Sequence, residues 1–133
     1  MTFHIYEIIA ILFAHWIGDF VLQSDWQAKN KSKNNVALGL HVTTYTLFLF
    51  IFSMFVLAES FSMRNIALWE AWAFVNGVLH FGVDYVTSRI NTHLWSKGRV
   101  HDFFVSVGFD QFLHIATLML TLGMLHNVLQ NYG

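Results

Sequence analysis

The sequence predicts an all-α integral membrane protein, a bundle of four transmembrane helices with both termini on the non-cytoplasmic side. Three observations predict it. Charged residues make up 11% of the 133 positions and hydrophobic ones 56%, whereas soluble domains carry about 25% charge. Four apolar runs each reach the ~20 residues that cross a ~30 Å hydrocarbon core. The lysines and arginines gather in alternate links between those runs.

The first run, 2–23, is apolar from its start through Phe3, Ile5, Ile8, Ile9, Ile11 and Leu12, and no Lys or Arg precedes Lys29. A secretory leader would carry a basic start and small residues before a cleavage point, so this run is expected to be a retained span. The second, 36–58, is broken only by His41 among ionisable residues. The third, 66–91, is the weakest, with Glu70, Asn76, His80, Asp84 and Arg89 inside it. A re-entrant or interfacial helix is its alternative. The fourth covers 103–129. Backbone in hydrocarbon must satisfy its own hydrogen bonds, so each run is expected to be helical. The chain is one transmembrane domain over 1–133.

The first and third links, Ser24–Asn35 and Thr92–Asp102, lie on one side of such a bundle. With the adjoining span end they hold Lys29, Lys31, Lys33, Arg89, Lys97 and Arg99. The other side, from Glu59 and Ser60 to Asn65, holds only Arg64. Cytoplasmic loops carry the Lys/Arg excess, so the first and third links are expected to be cytoplasmic. Trp26 and Trp95 fall near that face and Trp69 and Trp72 near the other, where interfacial aromatics belong. A net charge of −1 excludes a basic nucleic-acid surface. Zero cysteine excludes disulfides, thiolate ligands and a Cys nucleophile.

The ionisable residues inside the runs share one depth. His15 and Asp19, His41, His80 and Asp84, and Asp110 and His114 all fall roughly 5–17 Å inside the cytoplasmic boundary at 1.5 Å per residue. His15–Asp19, His80–Asp84 and Asp110–His114 are spaced i,i+4, so each pair shares a helix face. Buried ionisable groups in a membrane face the bundle interior and pair there. Imidazole with carboxylate is a ligand set for a divalent metal: zinc first, manganese or iron as alternatives. Seven donors suit two ions bridged by an Asp, or one ion with Asp side chains orienting its histidines. The structural alternative stays open: each pair bonds within its own helix, and the layer only joins helices. His4, His93, His101 and His126 lie outside the layer and read as solvated or interfacial. Gln23, Lys31, Arg89 and Arg99 stand at the cytoplasmic rim, where they suit an anionic head group or simple snorkelling. Gly18, Gly82 and Gly108 lie near the layer and would let helices approach closely.

The strings HWIGDFVLQSDWQAKNK (His15–Lys31), HFGVDYVTSRI (His80–Ile90) and GFDQFLH (Gly108–His114), with the pair Phe103–Phe104, resemble the domain of unknown function 3307 over nearly the whole chain. That resemblance implies a small inner-membrane protein of bacteria or their phages and supplies no activity. In ligand type alone, the layer is also similar to small membrane metal-dependent hydrolases.

Three functions follow as expectations. In a metal-dependent membrane hydrolase, His15, His41, His80, His114 and the three Asp hold one or two ions. Asp19, Asp84 or Asp110 is left as general base, and a membrane lipid or lipid-linked substrate enters from the inner leaflet. A metal-ion or proton pathway would need polar groups continuing to the far face, where only Glu7, Asn76 and Thr121 offer themselves. A non-enzymatic interaction protein, alone or as a homo-oligomer, would use the layer only to order the bundle. No nucleic-acid partner is expected.

Overall fold

A computed structural model describes residues 4–58 and 61–131. Thr2 and Phe3, at the start of the expected first span, and Glu59 and Ser60 of the second link lie outside the described residues. No strand occurs among the described residues. The elements are α1 (Ile5–Trp16), continued without a break by a π-helical turn (Ile17–Val21), then α2 (Asp25–Asn30), α3 (Asn35–Val56), α4 (Met63–Ser96) and α5 (Val100–Asn131). Long helices touch around a ring: α1 on α3, α3 on α4, α4 on α5 and α5 back on α1. That ring leaves a central seam onto which all four can direct side chains.

Three of the helices, α3, α4 and α5, are long and apolar enough to cross a membrane. Their outward faces suit lipid rather than water. Phe55 (77% exposed), Leu120 (66%) and Phe74 (65%) stand outside, where a soluble protein rarely gathers large apolar side chains. The interior instead holds Asp19, His41, His80, Asp84, Asp110 and His114, all buried. Such an inside-out distribution is what a hydrocarbon solvent selects. The N-terminal helix is shorter. Its 12 α-helical and five π-helical residues extend about 25 Å at helical rise.

Local signals explain the boundaries. Ser24 begins α2 through a capping box: Gln27 N donates to Ser24 Oγ at 3.3 Å and Ser24 N donates to Gln27 Oε1 at 2.9 Å. Asn34 and Ser62 cap α3 and α4 by accepting from Val36 N (2.8 Å) and Asn65 N (3.1 Å). The third link is far shorter than the expected Thr92–Asp102. Helix α4 runs on to Ser96 and α5 starts at Val100. Gly98 turns the chain at φ 67°. Arg99 N donates to Leu94 O and Gly98 N to Trp95 O, both at 3.0 Å, which closes a Schellman motif. A polar sequence here means solvated helix ends rather than loop, because helices of 34 and 32 residues outrun the ~30 Å hydrocarbon core.

In the half of the bundle away from the polar layer, Ile11, Ala14, Leu49, Trp69, Trp72, Leu118 and Leu122 form the core. Trp69 and Trp72, expected at the interface, are 2% and 4% exposed. They turn inward, packed edge to face at 5.5 Å in this core. Trp72 Nε1 donates to Thr121 Oγ1 at 3.0 Å, and Asn76 Nδ2 donates to the same oxygen at 3.0 Å, so polar bonds tie α4 to α5.

Close approach rests on two glycines. A Cβ on Gly18 would lie 2.9 Å from Tyr45 Cδ2, and one on Gly77 would collide with Thr46 Oγ1. Gly82 and Gly108 face open space, so the expected close contacts there do not form. Gly77→Ala should therefore push α3 from α4 and cost about 1–3 kcal/mol, whereas Gly82→Ala should be neutral or slightly stabilising. Thermal unfolding of both variants in detergent checks the contrast.

Candidate metal centre

The layer closes into one cluster. Asp19 reaches it from the π-helical turn after α1. There the N–H of Leu22 bonds back to Ile17 O at 2.9 Å, and the widened turn directs Asp19 inward. Gly18 allows this turn to sit against Tyr45. His41 comes from α3, His80 and Asp84 from α4, Asp110 and His114 from α5.

Four donor atoms converge: Asp19 Oδ1, His41 Nε2, His80 Nε2 and Asp84 Oδ2. His41 Nε2 lies 3.1 Å from Asp19 Oδ1, 3.1 Å from His80 Nε2 and 3.4 Å from Asp84 Oδ2. His80 Nε2 lies 3.4 Å from Asp19 Oδ1 and 3.5 Å from Asp84 Oδ2. Asp84 then turns its other oxygen to a second group: Oδ1 is 3.3 Å from His114 Nε2, which is 3.5 Å from Asp110 Oδ1. Both groups, Asp19–His41–His80–Asp84 and Asp84–Asp110–His114, could hold a metal ion.

Supporting contacts orient these side chains. Gln111 Nε2 donates to Asp19 Oδ2 at 3.1 Å and to Asp110 Oδ2 at 3.0 Å, bracing the two carboxylates. Its Oε1 can only accept, so His15 Nε2, 3.0 Å away, carries the proton. In the neutral ring Nδ1 then accepts from Tyr45 O–H at 3.3 Å. With both nitrogens engaged, and Nε2 3.8 Å from Asp19 Oδ2, His15 stands outside both donor groups and supports Gln111. Thr87 Oγ1 donates to Asp110 Oδ1 at 2.6 Å. Gln23 lies 3.1 Å from His41 Nδ1. The His80 ring stacks between Tyr45 and His114 at 4.2 and 4.1 Å, and its Nδ1 is buried without a hydrogen-bond partner.

The rim residues separate. Lys31 Nζ donates to Asp84 Oδ2 at 2.8 Å, so it belongs to the cluster. Arg89 does not: it bonds Tyr85 O and Asn35 Oδ1 and lies over the Tyr85 ring, 3.7 Å to the centroid. Arg99 pairs with Asp102 at 2.7 Å on the surface. In both cases a nearby acceptor on the helix ends captures the guanidinium. His4, His93 and His101 are exposed, as expected. His126 instead lies 3.4 Å from Glu7 Oε1. Tyr45, Thr87 and Gln111 escaped sequence reasoning, although each lies one helical turn or one position from a member of the layer.

The family described as Protein of unknown function (DUF3307) matches residues 8–132. The chain belongs to that family. No curated protein and no solved structure matches this DUF3307 chain. Its chemistry therefore rests on the site itself, and both donor groups fall within the matched residues.

Proposed function

We propose that this DUF3307 protein is a four-span membrane protein holding one or two divalent metal ions, zinc first, in a buried His/Asp centre near the cytoplasmic face. It uses them to hydrolyse a lipid or lipid-linked substrate. One observation carries the metal: the five separations that His41 Nε2 and His80 Nε2 make with each other and with Asp19 Oδ1 and Asp84 Oδ2 run from 3.1 to 3.5 Å, and all four atoms lie within 4.8 Å of one another. Ligands at zinc distances of 2.0–2.1 Å in a tetrahedron stand about 3.3 Å apart. Charge argues the same way. Three buried carboxylates face a single ammonium, Lys31, and uncompensated charge in a membrane interior is costly.

The donor chemistry fits a cation. Asp84 can share one oxygen with each group, and Gln111 holds Asp19 and Asp110 by their other oxygens. Turning the Gln23 amide presents Oε1 to His41 Nδ1–H and frees Nε2. When bound, such an ion lowers the pKa of a coordinated water into the neutral range. This chain's residues orient the donors, and, with an ion in the first group alone, Asp110, hydrogen-bonded to Thr87 and Gln111, is the carboxylate left to take a proton. The lysine excess around the first and third links supports a cytoplasmic site in a bacterial inner membrane with both termini outside.

A through-membrane pathway is less favoured. Beyond the cluster Leu49, Trp69, Leu118 and Leu122 are at most 2% exposed, and Asn76 and Thr121 satisfy one another at 3.0–3.1 Å.

Elemental analysis of gently purified protein, beside His80→Ala, tests the proposal. The expected result is at least one equivalent of zinc, manganese or iron in the wild type, reduced in the variant. Metal-free wild type that also fails to bind these ions on addition would sink it.

A further inference from the structure

A cavity of about 520 Å³ opens beside the cluster between the first link and the cytoplasmic ends of α4 and α5. One wall is basic: Lys29, Lys31 and Lys33. Lys31 belongs to both spaces, since its ammonium lies 2.8 Å from Asp84 Oδ2. The opposite wall contains Ser88 and Asn91. Ser88 is 8% exposed, and Ser88 Oγ and Asn91 Oδ1 are buried with no hydrogen-bond partner. Orphaned buried polar atoms cost free energy, and both belong to residues that line this one cavity, so turning these side chains toward it would let a polar ligand satisfy them. The mouth is aromatic. Trp95 packs edge-on against Phe103 at 5.0 Å, and Phe103 against Phe104 at 5.3 Å, with Trp95 60% and Phe104 64% exposed. Amphipathic aromatics at the edge of a bilayer lie at head-group level.

From this combination we infer that the cavity binds the phosphate head group of an anionic phospholipid and presents it to the His/Asp centre. The lysines meet the phosphate, Ser88 and Asn91 meet its ester or hydroxyl oxygens, and the aromatic mouth lies along the chains. The inference rests on the proposed hydrolase for its purpose, but not for the binding itself. It also places the head-group site on Lys29, Lys31 and Lys33 rather than on Arg89 and Arg99, which are held elsewhere.

Native mass spectrometry of the full chain with phosphatidic acid or phosphatidylcholine tests it. Wild type is expected to retain phosphatidic acid at least threefold over phosphatidylcholine. Lys29→Gln with Lys33→Gln should abolish that preference, and Ser88→Ala, a small and tolerated change, should reduce it at least twofold. Equal retention of the two lipids, or a preference untouched by both variants, overturns the inference. Displacement of phosphatidic acid by millimolar inorganic phosphate would assign the pocket to a water-soluble phosphate and overturn the lipid. Elemental analysis of the same samples keeps the two ideas apart. Lipid selectivity without metal sinks the metal centre alone, and metal without selectivity sinks the pocket alone.

Discussion

Asp84→Asn is expected to empty both metal positions at once. Asp84 is the one side chain whose two oxygens serve different donor groups, Oδ2 toward His41 and His80 and Oδ1 toward His114. An amide keeps the shape but loses the charge and one acceptor. Loss of a side chain that merely orients a ligand costs 10–100-fold in metal affinity, so loss of a shared ligand should exceed about 100-fold. His114→Ala and Asp110→Asn touch only the second group and should leave the first filled. Metal per chain, measured on the three variants beside the wild type, distinguishes them. Stoichiometry in Asp84→Asn equal to that in His114→Ala would show that Asp84 does not bridge.

Chelation of the proposed metal is expected to destabilise the bundle strongly. A ligand that binds only the folded state stabilises it by about 4 kcal/mol at a thousand times its Kd. Its removal also leaves the Asp19, Asp84 and Asp110 carboxylates to the neighbouring imidazoles and Lys31 alone in a buried layer. Thermal melts followed by helical circular dichroism should therefore fall to lower temperature with chelator, and recover on adding back zinc. The same chelator should barely shift Asp84→Asn. Superimposable wild-type melts would mean that hydrogen bonds alone balance the cluster.

Much of the layer was legible because helical spacing is a strong constraint. His80 with Asp84, and Asp110 with His114, each sit four apart and do share a face and a cluster. His15 follows the same spacing, yet its ring bonds Gln111 and Tyr45. Spacing gives a direction from the helix axis, and it cannot say which neighbour meets the ring there. Gln111 was overlooked because it is uncharged, although an amide has four hydrogen-bonding positions to satisfy and this half-buried one holds two carboxylates together. The partners of Arg89 and Arg99 were illegible for a related reason. Long side chains on helix ends choose among acceptors within reach, and here they bond Asn35 and Asp102.

Composition and run length were enough to read the all-helical class, four apolar runs, of which three are helices long and apolar enough to cross a membrane, and the small set of ionisable residues that those runs carry. These are consequences of composition, run length and the cost of charge in hydrocarbon, none of which needs a partner helix to be known. Only the tertiary structure decided that Asp19 turns inward through a π-helical turn, that Asp84 stands between two donor groups, and that Lys31 alone of the rim cations reaches them. Those outcomes depend on distances of a few ångströms between residues 22 to 61 positions apart, which helix packing sets and linear spacing does not encode.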